Sequence, residues 1–186
     1  FYPGKNLGAY GDGGMALTCN PDVADRLDVL RRHGGRVRYH HERVGFNSRL
    51  DEIQAAILRV KLHHLQGWTS ARRHIAASYS ELLAAAPVTT PYETPGNQHI
   101  YHQYTIRAPR RDELKAFLQE QGIGTMIYYP VPLHLQEMYA HLGLREDSFP
   151  HAEQAAREVL ALPIYPELTD QDVLEVTEAI VRFYGA

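Results

Sequence analysis

Glycine occupies positions 4, 8, 11, 13 and 14, and Lys5 is the one amine inside that run. Glycine adopts backbone angles closed to other residues and lets the chain pass close to another group. The segment therefore reads as a turn, and its backbone can approach a flat ligand. Aromatic residues stand on both sides of the lysine, Phe1 and Tyr2 before it and Tyr10 after it. A restricted, partly apolar pocket keeps an amine free near neutral pH, where it is a nucleophile for an aldehyde. A surface lysine in a turn is the plainer meaning of the same run, so the rest of the chain has to decide between them.

The chain has 186 residues, enough for one domain or for one with a small second. Its 44% apolar and 22% charged content supports a packed core and argues against disorder. A formal charge of -3 and a pI near 6.4 give no reason to expect nucleic acid or an anionic membrane as partner. Cys19 is the only cysteine, which excludes an intrachain disulfide and fits a reducing, cytoplasmic setting. No apolar run approaches the ~20 residues of a membrane span, and no signal peptide is evident. The first residue is not Met, so the expectation is the C-terminal part of a longer protein, or a processed or trimmed chain.

Residues 14–19 predict a short buried strand. Asn20-Pro21 supplies an N-cap followed by proline at the first helical position. The helix that follows carries Val23, Leu27 and Leu30 on one face, and Gly34-Gly35 ends it. Residues 36–47 are irregular, basic and aromatic. Ser48-Arg49-Leu50-Asp51 resembles a capping box and opens a helix with a stripe of Leu50, Ile53, Ile57, Val60 and Leu65. Gly67-Trp68 marks a joint, after which a second helix runs to about Ala86 with Ile75, Tyr79, Leu82 and Leu83 inward. Pro87, Pro91, Pro95 and Gly96 form a linker-like loop.

Beyond it strands and helices alternate. His102, Tyr104 and Ile106 mark a strand that stops at Pro109, and Leu114, Phe117 and Leu118 mark a helix ending at Gly122. Ile123–Tyr128 predicts another strand, Pro130–His134 a rigid loop and Ala152–Leu160 a helix. Thr169 caps a last helix carrying Val173, Val176, Ile180 and Phe183. The alternation implies an α/β or α+β architecture, with domains expected at 1–67 and 68–186.

Four separated motifs carry a resemblance that covers essentially the whole chain. They are Lys5-Asn6-Leu7-Gly8 with Gly11-Asp12-Gly13-Gly14; Gly45-Phe46-Asn47-Ser48-Arg49-Leu50-Asp51-Glu52-Ile53-Gln54-Ala55-Ala56; the run from Gly122 through Tyr129 and Pro130 to His134 and Gln136; and Leu162-Pro163-Ile164-Tyr165-Pro166-Glu167-Leu168-Thr169. Together they resemble the DegT/DnrJ/EryC1/StrS family of nucleotide-sugar aminotransferases. The resemblance implies pyridoxal 5'-phosphate as cofactor. It implies the C-terminal half of the type I, aspartate aminotransferase-like, transferase fold: the end of the large domain plus a small α+β domain. Residues 1–67 would close the large cofactor-binding domain, and 68–186 would form the small domain with its linking helix.

On the same footing, Lys5 is the lysine joined to the cofactor aldehyde and, once released by the donor amino group, the general acid–base. Asn47 is implied to reach across a homodimer interface to the phosphate of the other subunit's cofactor, a contact an amide beside a helix start can make. Arg49 serves the same region or holds Asp51 or Asp12. Tyr2 and Tyr39 lie in stretches that border the substrate pocket in the family, with core packing as the alternative. Tyr129 and His134 lie where the family approaches the sugar nucleotide, and the alternative for His134 is a structural bond within the proline-rich turn.

Other features carry less. His40-His41 and His63-His64 lack the carboxylate or cysteine set of a metal site, so no metal is expected. The basic stretch Arg31–Arg43 suits a diphosphate as well as a nucleic acid. Gly8–Gly14 fails the spacing of a dinucleotide fingerprint. The family's N-terminal half supplies an aspartate to the pyridine nitrogen, a ring stacked on the cofactor and small polar groups on its phosphate, and none of these precedes Lys5 here. Catalysis by these residues alone is therefore not expected, and apolar surface should stand exposed.

The expected reaction of the parent protein moves an amino group from glutamate or glutamine to a keto carbon of a nucleotide-linked deoxysugar. The wording of the lysine motif is more similar to members acting at C3 than at C4. Three rivals stand beside it. A dehydratase of the same fold carries histidine at the lysine position, which Lys5 opposes. An aminotransferase for a cyclitol or an aminobenzoate precursor is the second. The third is a non-catalytic interaction or regulatory module.

Overall fold

The computed structural model describes residues 1–185, which divide into two compact units, Phe1–Gln66 and the stretch from Gly67 onward.

The first unit holds α1 (Pro21–Arg31) and α2 (Glu52–Leu62). Asn20 caps α1 as expected, its side chain accepting from the backbone N–H groups of Asp22 (2.9 Å) and Val23 (3.3 Å). The expected stripe does not bury itself: Val23 and Leu27 are exposed, and Val29 is the buried residue of α1. The reading of 14–19 as a strand fails for a related reason. A strand needs a neighbour for its backbone groups, and none of the described residues pairs with this segment, so Met15 and Leu17 stand exposed. The capping box at Ser48 is also absent. The helix starts at Glu52, with Asp51 as an N-cap that makes no side-chain bond. Ser48 is engaged elsewhere: its N–H donates to the carbonyl of Arg31 (3.1 Å), and that of Phe46 to Leu30 (2.7 Å). The last carbonyls of α1 have no intrahelical partner, and this extended segment satisfies them. In α2, Leu58 is buried, whereas Ile53 is 74% and Val60 64% exposed. Val44, at 93%, shows the exposed apolar surface foreseen from the sequence.

The second unit holds most of α3 (Leu65–Leu82), then β1 (Tyr104–Arg107), α4 (Arg111–Glu120), α5 (Pro150–Glu158), β2 (Val159–Leu162) and α6 (Asp170–Tyr184). β1 and β2 are antiparallel, with Tyr104 opposite Leu162 and Arg107 opposite Val159. Thr89 bridges to Arg107 and Met126 to Ala161, extending the pair by one residue pair on either flank. The expected strand at 123–128 is reduced to that one bridge, and beyond it the chain bends at Tyr128 and Pro130. The expected helix over 152–160 ends at Glu158, and its last residues belong to β2.

The core lies between this sheet and the helices. Tyr104, Ile106, Leu114, Leu118, Leu160 and Ile180 are fully buried. Tyr79 of α3 stacks on Tyr104 with ring centres 5.1 Å apart and donates its hydroxyl to the carbonyl of Pro163 (3.0 Å). Tyr104 and Ser80 share a hydroxyl–hydroxyl bond of 2.8 Å, and burial pushes the Tyr104 phenol up to about 12. Thr169 caps α6 in a full capping box with Asp172. No helix among the described residues is long and apolar enough to cross a membrane.

Candidate active site

The turn that carries Lys5 is closed by two backbone bonds, Lys5 N–H to Tyr2 (2.9 Å) and Ala9 N–H to Phe1 (2.8 Å). Gly8 is required there, since a Cβ would lie 2.3 Å from the Pro3 carbonyl oxygen. α2 holds the turn from one side. Lys61 Nζ donates to the carbonyl of Gly8 (2.8 Å) and lies 4.8 Å from the centre of the Tyr10 ring, while the Tyr10 N–H donates to Gln54 Oε1 (2.7 Å). The Lys5 side chain is exposed and makes no hydrogen bond or ion pair with the described residues. A fixed backbone therefore presents an amine that none of the described residues occupies.

Asn47 and Arg49 follow the segment pinned to α1. Asn47 bridges to Arg32 through its backbone, and Arg49 Nε donates to Asn47 Oδ1 (3.0 Å). Arg49 thus holds Asn47, and neither Asp51 nor Asp12 is its partner. With the Asn47 oxygen engaged, its NH₂ group is the part left to donate. Tyr39 stands exposed at the tip of a tight turn, with the His40 N–H donating to Val37 (3.0 Å) and the Arg38 guanidinium 4.9 Å from the centre of its ring. Arg36, paired with Asp25 and Glu42, braces the base of that turn. Tyr2 is exposed on the Lys5 turn. Asn47 and Arg49 meet each other, and among the described residues neither is hydrogen-bonded to Lys5, Tyr2 or Tyr39.

In the second unit, Tyr129 is exposed, its ring edge-on to Tyr128 at 5.6 Å. Tyr128, Met126 and Thr125 line a shallow cleft of about 330 Å³ with His102 and Ile164. Arg72 bonds the backbone beside that cleft, its Nη1 donating to Ile164 (2.8 Å) and Tyr101 (3.2 Å), and burial lowers its pKa. The His134 side chain is turned inward, 7% exposed, with Nε2 2.9 Å from Glu153 Oε1. It bonds a side chain, not the turn's own backbone. Sequence reasoning passed over Gln54, Lys61 and Glu153. Gln54 and Lys61 sit on a helix whose register against the turn is a tertiary matter, and His134 and Glu153 lie 19 positions apart in sequence, across a largely irregular segment. Among the described residues no group of three or more His, Cys, Asp or Glu is placed to hold a metal ion.

The profile of the DegT/DnrJ/EryC1/StrS aminotransferase family matches residues 1–181. The chain belongs to that family. A DegT/DnrJ/EryC1/StrS relative described as a pleiotropic regulatory protein of Geobacillus stearothermophilus is 55% identical over 99% of this chain and 50% of its own length. The dTDP-3-amino-3,4,6-trideoxy-alpha-D-glucose transaminase of Streptomyces venezuelae is 48% identical over 97% of this chain and 48% of its own. The crystal structure of S. venezuelae DesV in complex with a ketimine intermediate superposes with a TM-score of 0.96 at 46% identity, over 100% of this chain and 50% of that one. The fold is accordingly the C-terminal half of the type I transferase fold expected from the sequence, and the chain spans about half the length of the curated relatives it matches.

Proposed function

We propose that this chain belongs to a pyridoxal-phosphate-dependent aminotransferase that moves an amino group from glutamate or glutamine to the C3 keto carbon of a nucleotide-linked deoxysugar. The observation that carries this reading is the Lys5 amine, presented by a turn whose backbone is locked by Gly8, Lys61 and Gln54 and bonded by none of the described residues. The residues fit the cofactor's needs: a free amine for its aldehyde and an amide donor at Asn47 for a phosphate, steadied by Arg49. When bound, the cofactor supplies an electron-withdrawing ring beside the carbon that loses its proton. Lys5 Nζ takes that proton from the amino donor and returns it on the sugar side. Asn47 Nδ2 serves the phosphate of a partner subunit's cofactor, which makes the working form a homodimer. Tyr2, Tyr39 and Tyr129 border the sugar nucleotide, and His134, bonded to Glu153, lies in the same proline-flanked stretch as Tyr129. Residues 1–67 close the cofactor-binding domain and 68–186 form the small domain. Cys19, a free and exposed thiol, suits a reducing cytoplasm.

The similarity to a named 3-amino-sugar transaminase supports the choice of C3. A second reading, a regulatory module, is favoured by the description of the 55% identical relative. One experiment separates them. The full-length protein is loaded with pyridoxal phosphate, and its visible absorption and borohydride trapping are recorded beside Lys5→Ala. The expected result is loss of both signals, with transamination of a nucleotide-linked 3-keto sugar falling by a factor on the order of 10²–10⁴. Retention of both signals in the variant rejects the assignment, and a wild type that binds no cofactor favours the regulatory reading.

A further inference from the structure

Residues 129–149 contain two short 3-10 turns, Leu133–Leu135 and Glu137–Leu142, and no α-helix or strand. Bonds within such turns reach three residues along the chain and cannot anchor the segment to a core. One side chain does so. Glu153, in the first turn of α5, is 3% exposed, and its carboxylate meets three donors: the N–H of Asp147 (2.9 Å), the N–H of Phe149 (3.1 Å) and the ring of His134 (2.9 Å). These donors come from both ends of the irregular segment. α5 runs straight into β2, and Ala156 of α5 is buried, so Glu153 is seated on the core it connects to. The Phe149 ring closes the arrangement, edge-on to His134 at 4.9 Å.

An ionised carboxylate only accepts hydrogen bonds, so the proton of a neutral His134 lies on Nε2. The Asp147 N–H first, then the Phe149 N–H and the His134 ring, hold the Glu153 carboxyl below its usual range and keep it ionised. The imidazole is thereby fixed in tautomer and orientation, and with it the proline-flanked stretch that carries Tyr129.

We infer that Glu153 is a positioning residue: through His134 it holds the loop Tyr129–Gln136 in the place where the sugar nucleotide binds. The inference rests on the function proposed above, and its test keeps the two apart. In the full-length protein, Glu153→Gln preserves shape. Its amide must place an NH₂ either where Oε2 accepts from the Asp147 N–H or where Oε1 accepts from both the Phe149 N–H and the His134 ring, so at least one donor loses its acceptor. The expected outcome is a KM for the nucleotide-linked keto sugar raised about tenfold, the scale of one hydrogen bond to a charged group. The kcat, the KM for the amino donor and cofactor absorption should stay within about twofold, the scatter of distant sites. Hydrogen exchange should quicken in residues 129–136 and not in α3 or β1. His134→Ala should reproduce the KM change, and His134→Gln, whose amide can donate to the same carboxylate, should recover part of it.

An unchanged KM with unchanged loop exchange overturns the inference. So does a general rise in exchange across α3 and β1, which would mark Glu153 as a stabiliser only. A wild type that transaminates no nucleotide sugar sinks the proposed function, while faster loop exchange in Glu153→Gln would still uphold the restraint itself.

Discussion

A methyl group on Gly45 would lie 2.1 Å from the backbone nitrogen of Gly34, and no side-chain rotation relieves a backbone contact. The crossing of these two strands of chain seats Phe46 and Ser48 on the last carbonyls of α1 and so places Asn47. Gly45→Ala should therefore destabilise the full-length protein by about 1–3 kcal/mol, the usual range for overpacking. It should also weaken cofactor binding, because Asn47 moves with its neighbours. Denaturant unfolding and cofactor titration check the two effects, and wild-type affinity in the variant would count against the Asn47 assignment. The residue types were legible: Lys5, Asn47 and Arg49 stand out by motif. Their partners were not: the sequence left Arg49 a choice between the region of Asn47 and the two aspartates, and the fold joins it to Asn47.

Three local signals placed their elements correctly, whereas the capping box expected at Ser48 did not form. Asn20-Pro21 starts α1, Gly122 follows α4, and Thr169 with Asp172 starts α6. Thr169→Ala should cost about 1 kcal/mol through the lost cap. Leu118→Ala, at a fully buried site on α4, should cost about 2–5 kcal/mol through lost burial and the cavity left behind. Both should lower the urea midpoint with an unchanged slope. A Leu118→Ala loss below that of Thr169→Ala would contradict the packing described. Elements that depend on distant pairing were misread. Val159–Leu162 continues a helical pattern in sequence, yet its backbone pairs with Tyr104–Arg107, more than 50 residues earlier. Residues 14–19 have strand composition, and none of the described residues forms a strand beside them.

For the molecule as a whole, stability should fall on both sides of neutrality. Hydrogen bonds hold the carboxyls of Glu153 and Glu93 below their ordinary value of 4.5, and that of Asp172 below 3.8. Groups with depressed folded values stabilise above the unfolded value, and that contribution is lost as pH falls through the folded one. Unfolding temperature should therefore drop as pH falls below about 4.5, with a shallower slope in Glu153→Gln. At the alkaline end the sign reverses. The Tyr104 phenol ionises near 10.0 when unfolded and at about 12 when folded, so its contribution is intact below 10 and is lost as pH rises to 12. Thermal unfolding from pH 3 to 11 checks both limbs, and a stability that rises on acidification below 4.5 would contradict the bonds at Glu153 and Glu93.

The family and the starts of α1 and α6 are written in local chemistry: glycine where backbone must approach, and capping residues where N–H groups are orphaned. Which side chains lock the Lys5 turn, and why a glutamate under His134 anchors an irregular loop, were decided by tertiary structure alone. A hydrogen bond between residues far apart in sequence leaves no period or spacing to read, and exists only once the chain has brought its ends together.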